Sequence, residues 1–254
     1  MKRAFTWLVS FIVAAFSLGA PGQVAAYDTH VWSNSDAFKT TCLGFNDTYP
    51  QQLYSLTVAQ IAKLGYSPIM GALGSGFTRT AFLNNVLYDY AVYVHSHGDN
   101  YWAASGAPNV DSAFMQDPGT GKCNTSKDMV RSSSIKSITE GTFYNIVIMS
   151  TCYLGSGAST MPAAFQIGKT KQSTDPEFYL GYVNSTWDSA SLRFEKALWS
   201  YVNGGTPHTR TLAAAFTYAA SIGGYENVSS GEPFQANWWG NPNYDGTPAL
   251  PAFG

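Results

Sequence analysis

Three short apolar runs separated by helical segments constrain the fold of this 254-residue chain most strongly. They cover residues 90–94, 145–149 and 178–183 and are rich in β-branched and aromatic side chains. Each run is too short for a helix and is apolar on both faces, which is typical of strands in a parallel sheet covered on both sides. The alternation of strands and helices predicts an α/β three-layer sandwich with a mainly parallel central sheet.

Helical periodicity and helix-stop signals occupy the segments around these runs. From Gly231 onward the chain is rich in Pro, Asn, Gly and Trp, and we expect ordered coil laid over the domain. No domain boundary is evident, so residues 27–254 are predicted to form one domain with an irregular segment from about residue 225. The predicted helices cover residues 57–65, 78–87 and 125–138, a segment around 194–203, and a segment that opens at 206–207 and ends before 223.

The first 26 residues have the pattern of a secretory signal peptide. Lys2 and Arg3 precede an apolar stretch, and small residues ending at Ala26 fit a cleavage site. We therefore expect a secreted protein, extracellular or periplasmic, with no membrane contact once the segment is removed. The alternative is an uncleaved membrane anchor, for which the apolar run is short.

Composition narrows the function classes. Charged residues make up only 12% of the chain, and 14 basic residues face 16 acidic ones, for a formal net charge of −2. This balance predicts neither a nucleic-acid partner nor a polybasic membrane patch. Aromatic residues reach 15%, which argues against disorder. Nothing in the composition indicates the oligomeric state.

The chain has three cysteines, an odd number for an oxidising compartment. Cys42 and Cys123 lie in polar, turn-like surroundings, and we expect them to form a disulfide. Cys152 follows the most apolar strand. It is either a buried core cysteine or a nucleophile.

Two of the predicted strands end in reactive side chains. The first leads into the sequence His95-Ser-His97-Gly98-Asp99, and the second into Ser150-Thr-Cys152-Tyr-Leu-Gly-Ser-Gly. Functional groups of a parallel sheet lie just beyond the carboxyl ends of its strands. If the two strands are neighbours, His97 and Cys152 face each other at one edge of the sheet.

This pattern resembles the caspase-like superfamily of cysteine peptidases, which includes caspases, metacaspases, legumain, clostripain and gingipains. The family has an apolar strand ending in His-Gly and, some fifty residues later, an apolar strand ending in Cys. Here Cys152 follows His97 by 55 residues. The match covers residues 86–157 and extends to about 222, because the family also places a strand and two helices after the Cys. Some members carry an acidic residue before the Cys, where this chain has Ser150 and Thr151.

The resemblance implies a caspase-like fold and a cysteine endopeptidase that needs no cofactor or metal and acts on peptides or proteins. It makes Cys152 the nucleophile, His97 the general acid/base, and the backbone N–H groups of Gly98 and Cys152 the oxyanion hole. The chemistry fits these residue types. A nearby imidazole takes the thiol proton, and a glycine amide can approach a substrate carbonyl closely.

The resemblance also suggests a substrate preference. Trp187 and Asp188 follow the third strand, near where family members build the pocket for the residue before the cut bond. Relatives that cut after basic residues use a carboxylate there, so we expect cleavage after Arg or Lys. Asp188 is alternatively the N-cap of the helix that follows.

Two other function classes remain open. The sequence His95-x-His97-x-Asp99 resembles the start of the metallo-β-lactamase signature, which would make the protein a zinc hydrolase. Asn100 stands where that signature has its last histidine, and only His30 and His208 remain to complete a site. The other class is a catalytically inactive, caspase-like binding protein. In the peptidase interpretation, His95 simply packs near the site.

Overall fold

The computed structural model describes residues 27–33, 48–73, 77–99, 113–115, 129–157, 159–168, 170–206, 209–225 and 233–250. The predicted signal peptide lies outside the described residues, and so do Cys42, Cys123 and His208. The disulfide between Cys42 and Cys123 therefore stays a prediction. Among the described residues, no helix is both long enough and apolar enough to cross a membrane.

The described segments alternate between strands and helices. The strands are β1 (Asp28–Ser33), β2 (Ser67–Leu73), β3 (Ala91–His95), β4 (Gly98–Asp99), β5 (Ala113–Met115), β6 (Met129–Arg131), β7 (Ile146–Ser150), β8 (Phe178–Tyr182) and β9 (Ala236–Gly240). The helices are α1 (Tyr49–Lys63), α2 (Arg79–Asn85), α3 (Ser132–Lys136), α4 (Met161–Ala164), α5 (Asp188–Asn203) and α6 (Leu212–Ile222). A 3₁₀ turn over Val86–Tyr88 follows α2.

Six of these strands form the central sheet, in the order β2-β1-β3-β7-β8-β9. All neighbouring strands run parallel except β8 and β9, which are antiparallel. The short strands β4, β5 and β6 form a separate antiparallel sheet next to the carboxyl end of β3. The predicted α/β fold with a mainly parallel sheet is confirmed.

Helices cover both faces of the central sheet, which explains why its inner strands are apolar on both sides. Every residue of β3, β7 and β8 is buried. Residues from α1, α5 and α6 pack on one face, around Tyr93, Ile148 and Leu180. Residues from α2, α3 and α4 pack on the other, around Val94 and Met149. The three-layer arrangement follows from this division of the core.

The sheet is larger than the apolar runs predict. The sequence of β1, Asp-Thr-His-Val-Trp-Ser, mixes polar and apolar residues, yet β1 lies inside the sheet between β2 and β3. The prediction of coil after Gly231 is wrong for Ala236–Gly240, which pairs with β8. Its two tryptophans pack against aromatic rings of β8. The apolar area of these rings stabilises a strand that its Asn and Gly disfavour.

Several helix boundaries also differ from the predictions. The first helix begins at Tyr49, because Pro50 suits its first turn. The last begins at Leu212 rather than at residue 206, since the Thr211 hydroxyl caps it by accepting a hydrogen bond from the backbone N–H of Ala214. Only Ser132–Lys136 of the helix predicted over 125–138 is helical in the described part of the chain, where β6 immediately precedes it.

Candidate active site

Strands β3 and β7 are neighbours, and their last residues, His95 and Ser150, lie side by side in the register. The two segments that follow, with His97-Gly98 and Thr151-Cys152, therefore leave the sheet at the same edge. β8 adjoins β7 on the other side, so the segment from Val183 to Asp188 reaches that edge as well. Three neighbouring parallel strands thus bring the predicted catalytic and substrate-binding residues to the same edge of the sheet.

Gly98 lies directly against the backbone of the second segment. A Cβ atom at Gly98 would collide with the carbonyl oxygen of Cys152 and would lie 2.9 Å from the Cβ of Thr151. No residue with a side chain fits here without a shift of the backbone. The glycine after His97 is thus required by packing, which brings the His97-Gly98 peptide against Cys152.

The turn after Cys152 is sharp. Tyr153 has a φ of +63°, a left-handed conformation that is unusual for a large side chain. The Tyr153 N–H donates to the carbonyl oxygen of Asn184 at 3.4 Å, and the Gly155 N–H donates to that of Tyr182 at 2.7 Å. These bonds anchor the turn on the end of β8. Strain of this kind is frequent at functional sites.

The Cys152 sulfur has a backbone partner in the segment after β8. The Thr186 N–H donates to Sγ at 3.2 Å, and Sγ lies 3.7 Å from the Thr186 carbonyl oxygen. An N–H group aimed at sulfur stabilises the thiolate more than the thiol. Cys152 is partly exposed and is a free thiol. It is therefore both accessible and held in a defined position.

Burial determines the protonation states of Cys152 and His97, the predicted nucleophile and general acid/base. Burial raises the pKa of the Cys152 thiol, while the Thr186 N–H acts in the opposite direction. Burial also lowers the pKa of His97 to about 4. At neutral pH both groups are uncharged, and the imidazole is free of the extra proton that would prevent it from acting as a base. The resting pair is a thiol and a neutral imidazole.

His95 lies deeper than His97 and contacts both neighbouring elements. Its Nδ1 lies 3.0 Å from the carbonyl oxygen of Ser150 and 3.2 Å from the Ser150 hydroxyl. Its Nε2 lies 3.4 Å from Oδ1 of Asp188. Burial lowers the pKa of His95 to about 3, although the Ser150 carbonyl raises it. The role expected for His95, that of a packing residue, leaves out these polar contacts.

Asp188 is the first residue of α5, and Trp187 occupies the N-cap position without a capping hydrogen bond from its side chain. The alternative that Asp188 is the N-cap is therefore wrong. The Asp188 side chain is only 15% exposed and lies against His95. Trp187 is partly buried against the core. Whether the two residues contact substrate stays a prediction.

A buried carboxyl group lies behind the site. Glu195 of α5 accepts hydrogen bonds from the hydroxyls of Tyr93 and Tyr182, at 3.0 and 2.8 Å. The Ser150 hydroxyl is a third partner. Burial raises the pKa of Glu195 to about 7, although these hydrogen bonds lower it. Because Ser150 also contacts His95, the core network continues into the site.

The described residues contain no group of three His, Cys, Asp or Glu side chains that could hold a metal ion. His30, one of the histidines left for a zinc site, is instead paired with Asp89 at 2.6 Å. The side chain of Asp99 lies outside the described part. No described ligand set supports the zinc hydrolase alternative.

Sequence reasoning identified His97, Gly98 and Cys152 but missed Ser150, Thr186 and Glu195 as neighbours of the site. Thr186 acts through its backbone N–H, which no sequence pattern can indicate. Glu195 could have been found, because it is an acidic residue among the apolar residues on the buried face of α5. Comparison with protein-family models and with characterised proteins finds no match to this sequence.

Proposed function

We propose that this protein is a secreted cysteine endopeptidase in which Cys152 is the nucleophile and His97 is the general acid/base. The observation that carries the proposal is the packing of Gly98 on the Cys152 carbonyl oxygen and the Thr151 side chain, because it brings the residue after His97 into contact with the proposed nucleophile's own backbone. The resemblance to caspase-like peptidases agrees with the architecture, since one strand of the central sheet and two long helices, β8, α5 and α6, follow Cys152 before β9.

The reaction begins with a neutral pair. His97 takes the thiol proton as the Cys152 sulfur attacks the carbonyl carbon of the scissile peptide bond, and the carbonyl oxygen becomes an oxyanion. The backbone N–H groups of Gly98 and Cys152 are the proposed donors to that oxyanion. The C–N bond then breaks, and the amine leaves with the proton from His97. Water, deprotonated by His97, hydrolyses the thioester and releases the acid.

The Thr186 N–H supports the step in which the sulfur carries negative charge. It lies 3.2 Å from Sγ and donates to it, so part of the cost of forming a buried thiolate is offset before substrate arrives. The substrate class is a peptide or protein. The preference for Arg or Lys before the cut bond remains a prediction, because Asp188 already has His95 as a neighbour.

A peptide library tests the proposal. We expect the protein to cleave it, and we expect an alkylating reagent such as iodoacetamide to abolish cleavage while a chelator leaves it unchanged. Cys152→Ala should be inactive. The matched control is Ser156→Ala in the same turn, whose exposed hydroxyl donates a hydrogen bond to the backbone carbonyl of Tyr153. It should retain activity.

Other outcomes would replace the proposal. Loss of activity with the chelator would favour a zinc hydrolase. No cleavage by the folded protein, with Cys152 unreactive toward alkylation, would favour the inactive binding protein.

A further inference from the structure

The carboxyl group of Glu195 lies in the core, where sequence alone would place an apolar side chain. Glu195 is 1% exposed, and its neighbours on the buried face of α5 include Leu192, Leu198 and Trp199. Burial of a carboxyl group is unfavourable unless hydrogen bonds replace those that it makes with water. The contacts of the carboxyl group therefore indicate what it does there.

The hydroxyl groups that bond Glu195 come from the three strands that lead to the candidate site. Tyr93 of β3 donates to Oε2 at 3.0 Å, and Tyr182 of β8 donates to Oε1 at 2.8 Å. Ser150, the last residue of β7, is the third partner. β7 lies between β3 and β8 in the sheet. One carboxyl group thus connects α5 to all three strands.

Two of these partners lie on either side of the turn that contains Cys152. Ser150 precedes Cys152 by two residues. On the other side, the carbonyl oxygen of Tyr182 accepts a hydrogen bond from the Gly155 N–H at 2.7 Å. The turn packs closely on the end of β8, since a Cβ atom at Gly155 would collide with the carbonyl oxygen of Gly181. A shift of Ser150 relative to Tyr182 would therefore move Cys152 relative to the chain after β8.

That part of the chain carries the N–H group that contacts the sulfur. Thr186 follows Tyr182 by four residues, and its N–H donates to Sγ of Cys152 at 3.2 Å. The contact stabilises the thiolate more than the thiol, and it weakens steeply when distance or angle departs from the optimum. The reactivity of Cys152 is thus sensitive to how the ends of β7 and β8 are held together.

From these contacts we infer that Glu195 is a positioning residue, whose carboxyl group holds the ends of β7 and β8 so that the Cys152 sulfur stays at the Thr186 N–H. The inference rests on the proposed function for its significance in catalysis. The position of the sulfur can be tested without any cleavage.

A carboxyl group suits this task because its two oxygens accept hydrogen bonds from several directions. Gln has the same shape and can bond the same hydroxyls, since its oxygen accepts, its nitrogen donates, and a hydroxyl does both. Met has nearly the same length but replaces none of these bonds. Neither substitute carries a charge. The comparison of Glu195→Gln with Glu195→Met therefore separates hydrogen bonding from packing and from the charge of Glu195.

The test is the pH dependence of Cys152 alkylation by iodoacetamide, measured by mass spectrometry of the peptide that contains Cys152 in the protein made from the full chain. The midpoint of this curve reports the thiol pKa. We expect the midpoint in Glu195→Met to lie about one pH unit above that in Glu195→Gln, a tenfold loss of thiolate at neutral pH. Circular dichroism spectra establish that both variants are folded.

A milder pair of variants serves if Glu195→Met does not fold. Tyr182→Phe removes one of the bonds to Glu195, and we expect the midpoint to rise by about 0.5 units relative to the wild type. The matched control is Tyr144→Phe. It also removes one buried hydroxyl, which donates to the carbonyl oxygen of Val86 at 2.9 Å, but Tyr144 lies before β7, at the opposite end from Ser150. Its midpoint should stay within about 0.3 units of the wild type.

Equal midpoints in folded Glu195→Met and Glu195→Gln would overturn the inference. So would an equal rise in Tyr182→Phe and Tyr144→Phe, because loss of any buried hydroxyl bond would then suffice, or an unchanged midpoint in Tyr182→Phe. Failure of the proposed function looks different: the expected shifts would appear in a protein that cleaves no peptide. If the protein cleaves peptides and the midpoints are equal, the inference alone fails.

Discussion

Two buried His–Asp pairs lie on neighbouring strands of the same sheet, and they differ in what surrounds them. His30 of β1 lies 2.6 Å from Asp89 and stacks on Trp32. His95 of β3 lies 3.4 Å from Asp188 and also contacts Ser150. The first pair is shorter, yet the second is the one that lies beside the proposed nucleophile, Cys152. A buried His–Asp pair alone does not mark a site.

The comparison also concerns where each pair lies along the strands. His30 pairs with Asp89, which precedes β3, whereas His95 ends β3 and faces the segment that follows β8. Carboxyl ends of parallel strands gather residues that are distant in sequence, and this is where Cys152 emerges. The His30–Asp89 pair holds the segment before β3 against β1. The His95–Asp188 pair lies at the carboxyl edge of the sheet, where the candidate site is.

The largest effect is expected from the histidine that belongs to neither pair. His97→Ala should reduce kcat/KM by about 10²–10⁴, because it removes the proposed proton transfer. His95→Asn should reduce it by less than about tenfold, because the proposed proton transfer belongs to His97. Steady-state kinetics on one cleaved peptide measures both. An equal loss from the two changes would show that His95 takes part in the chemistry directly and would revive the metal-site alternative.

Breaking the first pair should affect stability without affecting the thiol. His30→Leu leaves Asp89 buried without its partner, which costs about 3 to 5 kcal/mol of unfolding free energy. Urea unfolding measures this loss. The pH midpoint of Cys152 alkylation, measured by mass spectrometry, should not move. A clear shift of this midpoint would show that the His30–Asp89 pair influences the site, and the two pairs would then not differ in the way proposed.

The buried Glu195, which contacts the site through Ser150, should make the stability of the protein depend on pH. Burial raises its pKa to about 7 from an ordinary value of 4.5, so the folded state binds the proton more tightly than the unfolded state does. Its contribution to stability is fully present below pH 4.5 and is lost as the pH rises to about 7. A shift of this size corresponds to about 3 kcal/mol.

Glu195→Gln removes this titration. The unfolding free energy of each protein is measured in urea from pH 4 to 8. The value for Glu195→Gln minus the value for the wild type should increase by about 3 kcal/mol as the pH rises. His95 and His97 titrate in both proteins and cancel from the difference. A difference that is constant with pH would mean that Glu195 is ionised throughout.

The smallest expected effect concerns substrate choice. If Asp188 acts inside the site with His95, Asp188→Asn should leave the preference at the position before the cut bond unchanged within about threefold, a change well under 1 kcal/mol. A peptide library profiled with both proteins measures this. Selective loss of cleavage after Arg or Lys would instead support the specificity role that the sequence predicts for Asp188.

The sequence predicts the strands whose buried residues are all apolar, because there the residue type alone indicates burial. β3, β7 and β8 are buried on both faces, so their apolar runs predict them as strands. The sequence does not predict β1, because its buried Thr29 and His30 are polar, and the partner of His30, Asp89, is distant in sequence. β9 contains Asn and Gly, and its place depends on aromatic contacts with β8.

The candidate site also has a part that the sequence predicts and a part that it does not. His97 and Cys152 follow strands that their apolar runs predict, and a glycine directly after a histidine is visible in the sequence. Ser150 contacts His95 because β7 lies beside β3, and Asp188 reaches His95 because β8 lies on the other side of β7. No local sequence pattern reveals either contact. The Thr186 contribution is a backbone N–H, available at almost any residue. Such contacts come from tertiary structure alone.

The most direct test of the central claim is to trap the covalent intermediate. The protein is mixed with a peptide that it cleaves, or with the corresponding peptide ester, quenched in acid within one turnover, and digested for mass spectrometry. We predict that the acyl portion of the substrate is attached to Cys152 as a thioester, and that Cys152→Ala neither cleaves the substrate nor carries the adduct. Cleavage that persists in Cys152→Ala would contradict the account.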